Sequence, residues 1–301
     1  MKKSLFLYLS IIFLLAGRAS FATKGDGGLP CYFLNLGAGA RALGTGRAFV
    51  ALSDDVSAIY WNPAGLSQLT RKGASFMHAI LFEDTRYNFI GYAHPTYSPL
   101  NFGLGLIQLA SSGYEERDIF NLPGGTISDQ NNAFLLSISY RLSEGFSLGT
   151  TGKVINKRCD DINTSSYGLT LSFLYGLNYS LSFGLNLQNV IPVRLKREEL
   201  TDATPLNVKF GLAYKMNDFI ILLLDVDKSE DRSFKFHGGL EFWISEERFA
   251  LRIGYDQSNL TFGIGVRLKD FQIDYAVIDQ DLGLSHRISI SIEFGSMILK
   301  R

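Results

Sequence analysis

The sequence predicts an all-β protein, a transmembrane antiparallel β-barrel of about fourteen strands preceded by a small helical segment. Three observations carry that expectation. From about residue 71 onward, segments of roughly ten residues alternate apolar and polar side chains, the period-two mark of a sheet with unlike faces. Their polar face mixes Gly and Ser with charges of both signs (Lys209, Arg267, Arg287, Glu293), as a crowded lumen requires. Aromatics gather at segment ends, at Tyr140, Phe146, Tyr175, Phe242, Trp243 and Tyr255, where interfacial girdles would lie.

In chain order, residues 1–22 read as a cleaved signal peptide. Lys2 and Lys3 precede the apolar run "LFLYLSIIFLLAG", and Ser20-Phe21-Ala22 places small residues at the −3 and −1 positions of a cleavage site. The run is short for a bilayer span, and no Cys directly follows it, which argues against a lipoprotein anchor.

Residues 23–70 form a second unit with a different texture. "GARALGTGRAFVALSDDVSAIYWNPAGL" (39–66) is rich in Gly, Ala and Ser, so its backbone can approach a wall closely. Asp54 or Asp55 can cap a single turn through Ile59. Asn62 can cap a second turn, with Pro63 at its first position, where the missing N–H costs nothing. Arg41, Arg47, Asp54 and Asp55 can pair with one another or with lumen charges. Within a barrel this segment belongs inside, and after Gly46 the stretch "GTGRAFVAL" reads as strand-like. Its glycines suggest a phosphate loop, but no βαβ unit surrounds them and no Lys-Ser/Thr follows.

Residues 71–301 are the barrel. Its segments fall near 71–81, 86–95, 101–112, 132–142, 146–158, 164–176 and 179–189. They continue near 205–215, 218–227, 234–244, 248–256, 259–268, 270–279 and 285–295. "SEG" (143–145) and "MND" (216–218) read as hairpin turns, while 113–131 and 190–204 read as the larger loops. In "LTFGIGVRLK", Leu260, Phe262, Ile264, Val266 and Leu268 share one face. A soluble sandwich would show the same alternation, but its strands average about five or six residues. After residue 22 no apolar run spans a bilayer as a helix, so a membrane reading demands a closed barrel.

The formal net charge of zero argues against nucleic acid. Cys31 and Cys159 are too few for a disulfide framework and read as free or incidental. His78, His94, His237 and His286 are dispersed, so no metal site, cofactor or catalytic constellation is expected; His237 reads as a structural lumen residue alternating with Lys235 and Glu241.

The block Gly39-Ala40-Arg41-Ala42, Gly44, Gly46, Ala48-Phe49-Val50-Ala51, Asp54-Asp55, Ala58 and Trp61-Asn62-Pro63-Ala64-Gly65-Leu66 resembles the N-terminal signature of the PorV/PorQ-type outer-membrane proteins, related to the FadL fatty-acid transporters. The resemblance implies a fourteen-stranded barrel in the bacterial outer membrane, with the N-terminal segment folded inward as a hatch. Arg41, Gly44, Gly46, Asp54, Asp55, Trp61, Asn62, Pro63, Ala64 and Gly65 would form that hatch. It further implies handling of hydrophobic small molecules of the long-chain fatty-acid type among outer-membrane lipids. The other expectation is a PorV-like accessory role with secretion-system proteins. A lateral exit would need an interrupted strand, for which Gly103, Gly105 and Gly113 are candidates; the blander reading is that these glycines relieve crowding in the lumen.

Overall fold

A computed structural model describes residues 31–82, 85–117, 119–159, 162–197, 200–230, 232–245, 247–280 and 283–298. The expected signal peptide (1–22) and residues 23–30 lie outside the described residues. The wall begins with β1 (Lys72–Ile80), β2 (Arg86–His94), β3 (Leu100–Arg117), β4 (Pro123–Arg141), β5 (Phe146–Cys159), β6 (Ile162–Gly176) and β7 (Leu181–Ile191). Two short strands, β8 (Arg194–Arg197) and β9 (Leu200–Ala203), form a separate hairpin. The wall resumes with β10 (Asn207–Lys215), β11 (Ile220–Ser229), β12 (Phe234–Ile244) and β13 (Phe249–Asp256). It ends with β14 (Asn259–Leu268), β15 (Phe271–Gln280) and β16 (Gly283–Phe294). β16 pairs with β1 from Lys72↔Phe294 to Ile80↔His286, closing a fourteen-stranded antiparallel barrel.

Closure leaves no sheet edge for lipid to satisfy. Among the described residues no helix is long and apolar enough to cross a membrane. The alternation sets the two faces: Phe262, Ile264, Phe210 and Leu224 are exposed on the outer wall, while Lys209, Thr261, Asp274 and Arg287 are buried inside. Short turns (95–99, 142–145, 177–180, 216–219) join strands at one end, hereafter the turn end. The other end, hereafter the loop end, carries the 192–206 connection with its β8–β9 hairpin and the extended tips of β3–β4 and β5–β6.

Two expected loops are strand instead. Residues 113–131 mostly extend β3 and β4, which run to 18 and 19 residues. Gly113, at φ 87, absorbs a register shift between Ser111 and Tyr114, and pairing resumes at Tyr114↔Ile127. The expected loop 190–204 contains the β8–β9 hairpin, paired from Arg194↔Ala203 to Arg197↔Leu200.

The N-terminal segment fills the lumen. It contains a 3-10 turn (Tyr32–Asn35), a short helix (Ala40–Gly44), a second short helix (Ala58–Trp61) and a 3-10 helix (Pro63–Gln68). The expected strand-like run after Gly46 is absent: residues 45–52 form turns. Its N–H groups find acceptors on the wall, since Phe49 and Val50 both donate to Asp225 Oδ2 at 2.9 Å. A ladder partner is therefore unnecessary.

Candidate functional site

The two turns of the segment are built by their own caps. Asn62, at φ −160, accepts from the Ala64 N–H at 3.1 Å, with Pro63 at the first position. Its amide nitrogen donates to the carbonyls of Val50 (2.8 Å) and Phe173 (3.1 Å), so one side chain caps a helix, ties two plug segments and fixes both to β6. Asp55 Oδ1 accepts from the Ser57 N–H at 2.8 Å and hydroxyl at 2.6 Å. Asp54, expected to share that capping, instead bonds Arg41 at 2.7 Å because Asp55 already occupies the turn. Trp61 is fully buried, donates to the Ala38 carbonyl at 2.7 Å and meets Tyr60 edge-on at 4.8 Å. Asn62→Asp should keep the cap yet lose both amide donations, leaving buried carbonyls unpaired at about 1–3 kcal/mol. Limited proteolysis of the N-terminal segment should therefore accelerate in this variant and in the Asn62→Ala, Pro63→Ala double variant; unchanged cleavage rates would remove Asn62 from the plug's support.

A buried ion network fastens the plug to β12 and β13. Arg41 grips Glu241 with two bonds, Nη2 to Oε1 at 2.8 Å and Nε to Oε2 at 2.9 Å. Arg252 Nε reaches Glu241 Oε2 at 2.6 Å, and its Nη1 reaches Asp274 at 2.8 Å. Burial alone would lower Arg41, but the carboxylates of Asp54, Glu241 and Asp55 hold it well above the ordinary arginine value. Trp243 belongs to this network and not to a girdle: its indole N–H donates to Glu241 Oε1 at 2.9 Å, and it lies beneath the Arg267 guanidinium at 4.3 Å. Adjacent strand residues point oppositely, so with Phe242 facing outward Trp243 must face in. A second cluster holds Arg47 against Asp256 (3.4 Å), with His237 2.9 Å from Asp256 and Lys209 3.3 Å from Asp227. His237 thus sits among structural lumen charges.

Wall glycines are seats for plug backbone. A Cβ on Gly254 would fall on the Gly46 nitrogen, and one on Gly184 on the Val50 carbonyl. The plug's own glycines mirror this: Gly44 packs on Gly263, Gly46 lies at φ 67 against Gly238, and Gly65 sits under Ser53 beside buried Ala64. Gly103 and Gly105 lie within continuous ladders. Pairing runs unshifted through both on β2 and β4, and an added Cβ would meet Ile59 at 2.7 and 3.0 Å respectively. Their missing side chains leave room for Ile59 of the plug, and of the three glycines Gly113 is the one at a register shift.

On the loop-end side, five successive carbonyls are held by five different side chains. Tyr60 donates to Leu34 (2.5 Å), Arg47 to Asn35, Arg287 to Leu36 (3.4 Å), Tyr87 to Gly37 (2.8 Å) and Trp61 to Ala38. This strap forms one side of a narrow cavity of about 40 Å³ that opens to solvent. Leu34, Ile59, Ile107 and Leu135 make an apolar flank, while Thr151, Thr170, Gln188 and Asn207 make a polar one. Lys153 also lines it, with no acidic partner among the described residues. Cys31, at the same cavity, is a half-buried free thiol whose burial pushes it up to about 11, so it stays protonated at neutral pH. The side chain of Cys159 lies outside the described positions.

Glu241, Asp225, Lys153 and the seat glycines were not singled out as site residues from sequence. Their only signal is membership of the inward-facing parity.

Residues 12–167 match the model of the Uncharacterised protein family UPF0164. Among solved structures, the chain is similar to the CymD monoaromatic hydrocarbon channel (TM-score 0.70, 10% identity, 86% of this chain and 98% of that one). It is also similar to the toluene transporter TbuX of Ralstonia pickettii (TM-score 0.64, 13% identity, 86% and 99%). A FadL homologue of Pseudomonas aeruginosa gives a TM-score of 0.61 at 13% identity, covering 84% and 98%. At such identity the likeness establishes a FadL-like fold. No curated protein matches the chain.

Proposed function

The chain belongs to UPF0164, and we propose that it is an exported, non-enzymatic outer-membrane barrel that handles hydrophobic small molecules bearing an acidic group, with the long-chain fatty-acid type as the class that fits best. The cavity beyond the plug supports this reading. It pairs an apolar flank (Ile107, Leu135, Ile59) with a lysine, Lys153, that has no acidic neighbour among the described residues. A half-buried cation lining a pocket, with no carboxylate beside it among the described residues, favours an incoming anion. An aliphatic tail along Ile107 and Leu135 would place a carboxylate within reach of Lys153. The fold-level neighbours, a monoaromatic hydrocarbon channel and a toluene transporter, favour small-molecule handling over a secretion accessory role.

Lys153→Met retains the length of the side chain and removes its charge. A charged hydrogen bond is worth about 1.5–3 kcal/mol, so the variant should bind a long-chain carboxylate at least about tenfold more weakly. Binding of a neutral aromatic hydrocarbon should stay the same. Equal losses for both ligands, or none for the carboxylate, would refute the assignment of the acidic group to Lys153.

A further inference from the structure

The outer wall is not apolar all the way round. One hydrogen-bonded row crosses β1 to β6 through the in-register pairs His78↔Asn88, Asn88↔Gln108, Gln108↔Asn132, Asn132↔Asn156 and Asn156↔Ser165. Every one of these residues faces outward, being of the exposed or half-exposed parity of its strand. The same row continues the other way as Ile288, Tyr275, Ile264, Leu251 and Phe242, which is the apolar surface a lipid-facing wall should have.

The polar stretch is bonded at both ends and open in the middle. His78 Nδ1 lies 2.6 Å from Asn88 Oδ1, and Asn88 donates to Gln108 Oε1 at 3.2 Å. At the far end Asn156 donates to Asn163 Oδ1 at 2.8 Å and Ser165 Oγ at 3.2 Å. Between them the Gln108 amide nitrogen and the whole Asn132 amide have no partner among the described residues. Two residues nearer the loop end lies a second row, Arg86↔Ala110, Ala110↔Gln130 and Gln130↔Arg158. Arg86 and Arg158 are exposed and carry no carboxylate partner among the described residues. Three strand spacings separate them, about 14 Å. Directly below, toward the turn end, exposed Phe134 and Val154 begin the apolar band.

Unspent donors and two guanidiniums with no carboxylate beside them among the described residues, set immediately above an apolar slope, match one kind of occupant. We propose that this patch on β2–β5 binds the headgroup of a phosphorylated glycolipid in the outer leaflet. Arg86 and Arg158 take phosphate oxygens, Gln108, Gln130 and Asn132 take sugar hydroxyls, and the acyl chains run down over Phe134 and Val154. The proposal rests on the outer-membrane reading, with the end that carries the 192–206 connection and the extended β3–β6 tips outward, but uses neither the cavity nor Lys153.

The test is native mass spectrometry of the delipidated full chain in detergent, titrated with diphosphoryl lipid A, its dephosphorylated form and phosphatidylglycerol. Wild type should prefer diphosphoryl lipid A to both others by at least about tenfold. The Arg86→Gln, Arg158→Gln double variant should lose that preference, and Asn132→Leu should weaken lipid A without affecting phosphatidylglycerol. All three residues face outward, and retained heat-modifiable migration on gels would verify folding. Undiminished lipid A binding in the double variant overturns the proposal, as does equal binding of phosphatidylglycerol by wild type. A photo-crosslinker at Gln108 that captures a polypeptide in outer membranes, and no lipid, overturns it in favour of a protein partner. Carboxylate binding measured in the same variants should be unchanged, which separates failure of this site from failure of the transport reading.

Discussion

Glu241→Ala should destabilise the folded protein by about 3 kcal/mol, toward the lower end of what breaking a buried ion pair costs. Glu241 is wholly buried and is shared by Arg41, Arg252 and the Trp243 indole. Its removal leaves two guanidiniums in the lumen, but neither is stripped bare. Arg41 keeps Asp54 at 2.7 Å and Arg252 keeps Asp274 at 2.8 Å. Those remaining partners hold the effect below the upper limit. Urea unfolding in lipid vesicles reads it directly, because Trp61 and Trp243 lie on the two sides of the plug–wall contact. Glu241→Gln keeps an acceptor without the charge and should fall between wild type and Glu241→Ala. The decisive comparison is with Arg41→Met. If the network is one unit, Arg41→Met and Glu241→Ala together should cost at least about 1 kcal/mol less than the sum of the two single changes. Strict additivity would mean that plug and wall are stabilised independently.

What was legible in the sequence was local. Alternation places β14 and β16 because each residue's orientation depends only on its neighbours' parity. The Asn62-Pro63 cap was equally local, two adjacent residues deciding one turn. Arg41 and Glu241 stand 200 residues apart, and nothing in either neighbourhood names the other. Closure brings them together: only when β16 meets β1 does the wall surround the plug. The strand-like reading of residues 45–52 failed for the same reason, since Asp225 supplies acceptors from the far wall. Trp243 departs from the girdle expectation because strand parity, not nearness to a strand end, decides which way its ring points. The loop expected at 113–131 hid a ladder because one bulge at Gly113 shifts the alternation midway and masks its period. Gly103 and Gly105 were visible as glycines, but whether they open a wall or admit Ile59 depends on what stands across the lumen.

Gly254→Val should leave the barrel intact and unseat the plug. On the wall, Gly254 pairs with Gly239 and Thr261, and a β-branched residue suits a strand position. The conflict lies inside, where a Cβ would fall on the Gly46 nitrogen and crowd the Thr45 carbonyl carbon. The plug backbone has nowhere to retreat. Gly46 is held at φ 67, a conformation costly for other residues, and donates to Thr261 Oγ1 at 3.0 Å. Thr45 is tied to the Ala42 carbonyl at 3.0 Å. Overpacking a rigid core typically costs about 1–3 kcal/mol, and here the obstruction is main chain, which cannot change rotamer. The expected relief is displacement of the whole 40–47 stretch. Planar-bilayer recordings should then show raised conductance, and added protease should cut the N-terminal segment faster, while migration on gels still reports a folded barrel. Gly152→Val is the control, because a Cβ there meets nothing within 4 Å, and it should match wild type in both assays. If Gly254→Val stays closed and protease-resistant, the plug tolerates loss of this seat and the lumen is sealed elsewhere; if both glycine variants open the barrel, the effect belongs to the wall and the seat has no special part in it.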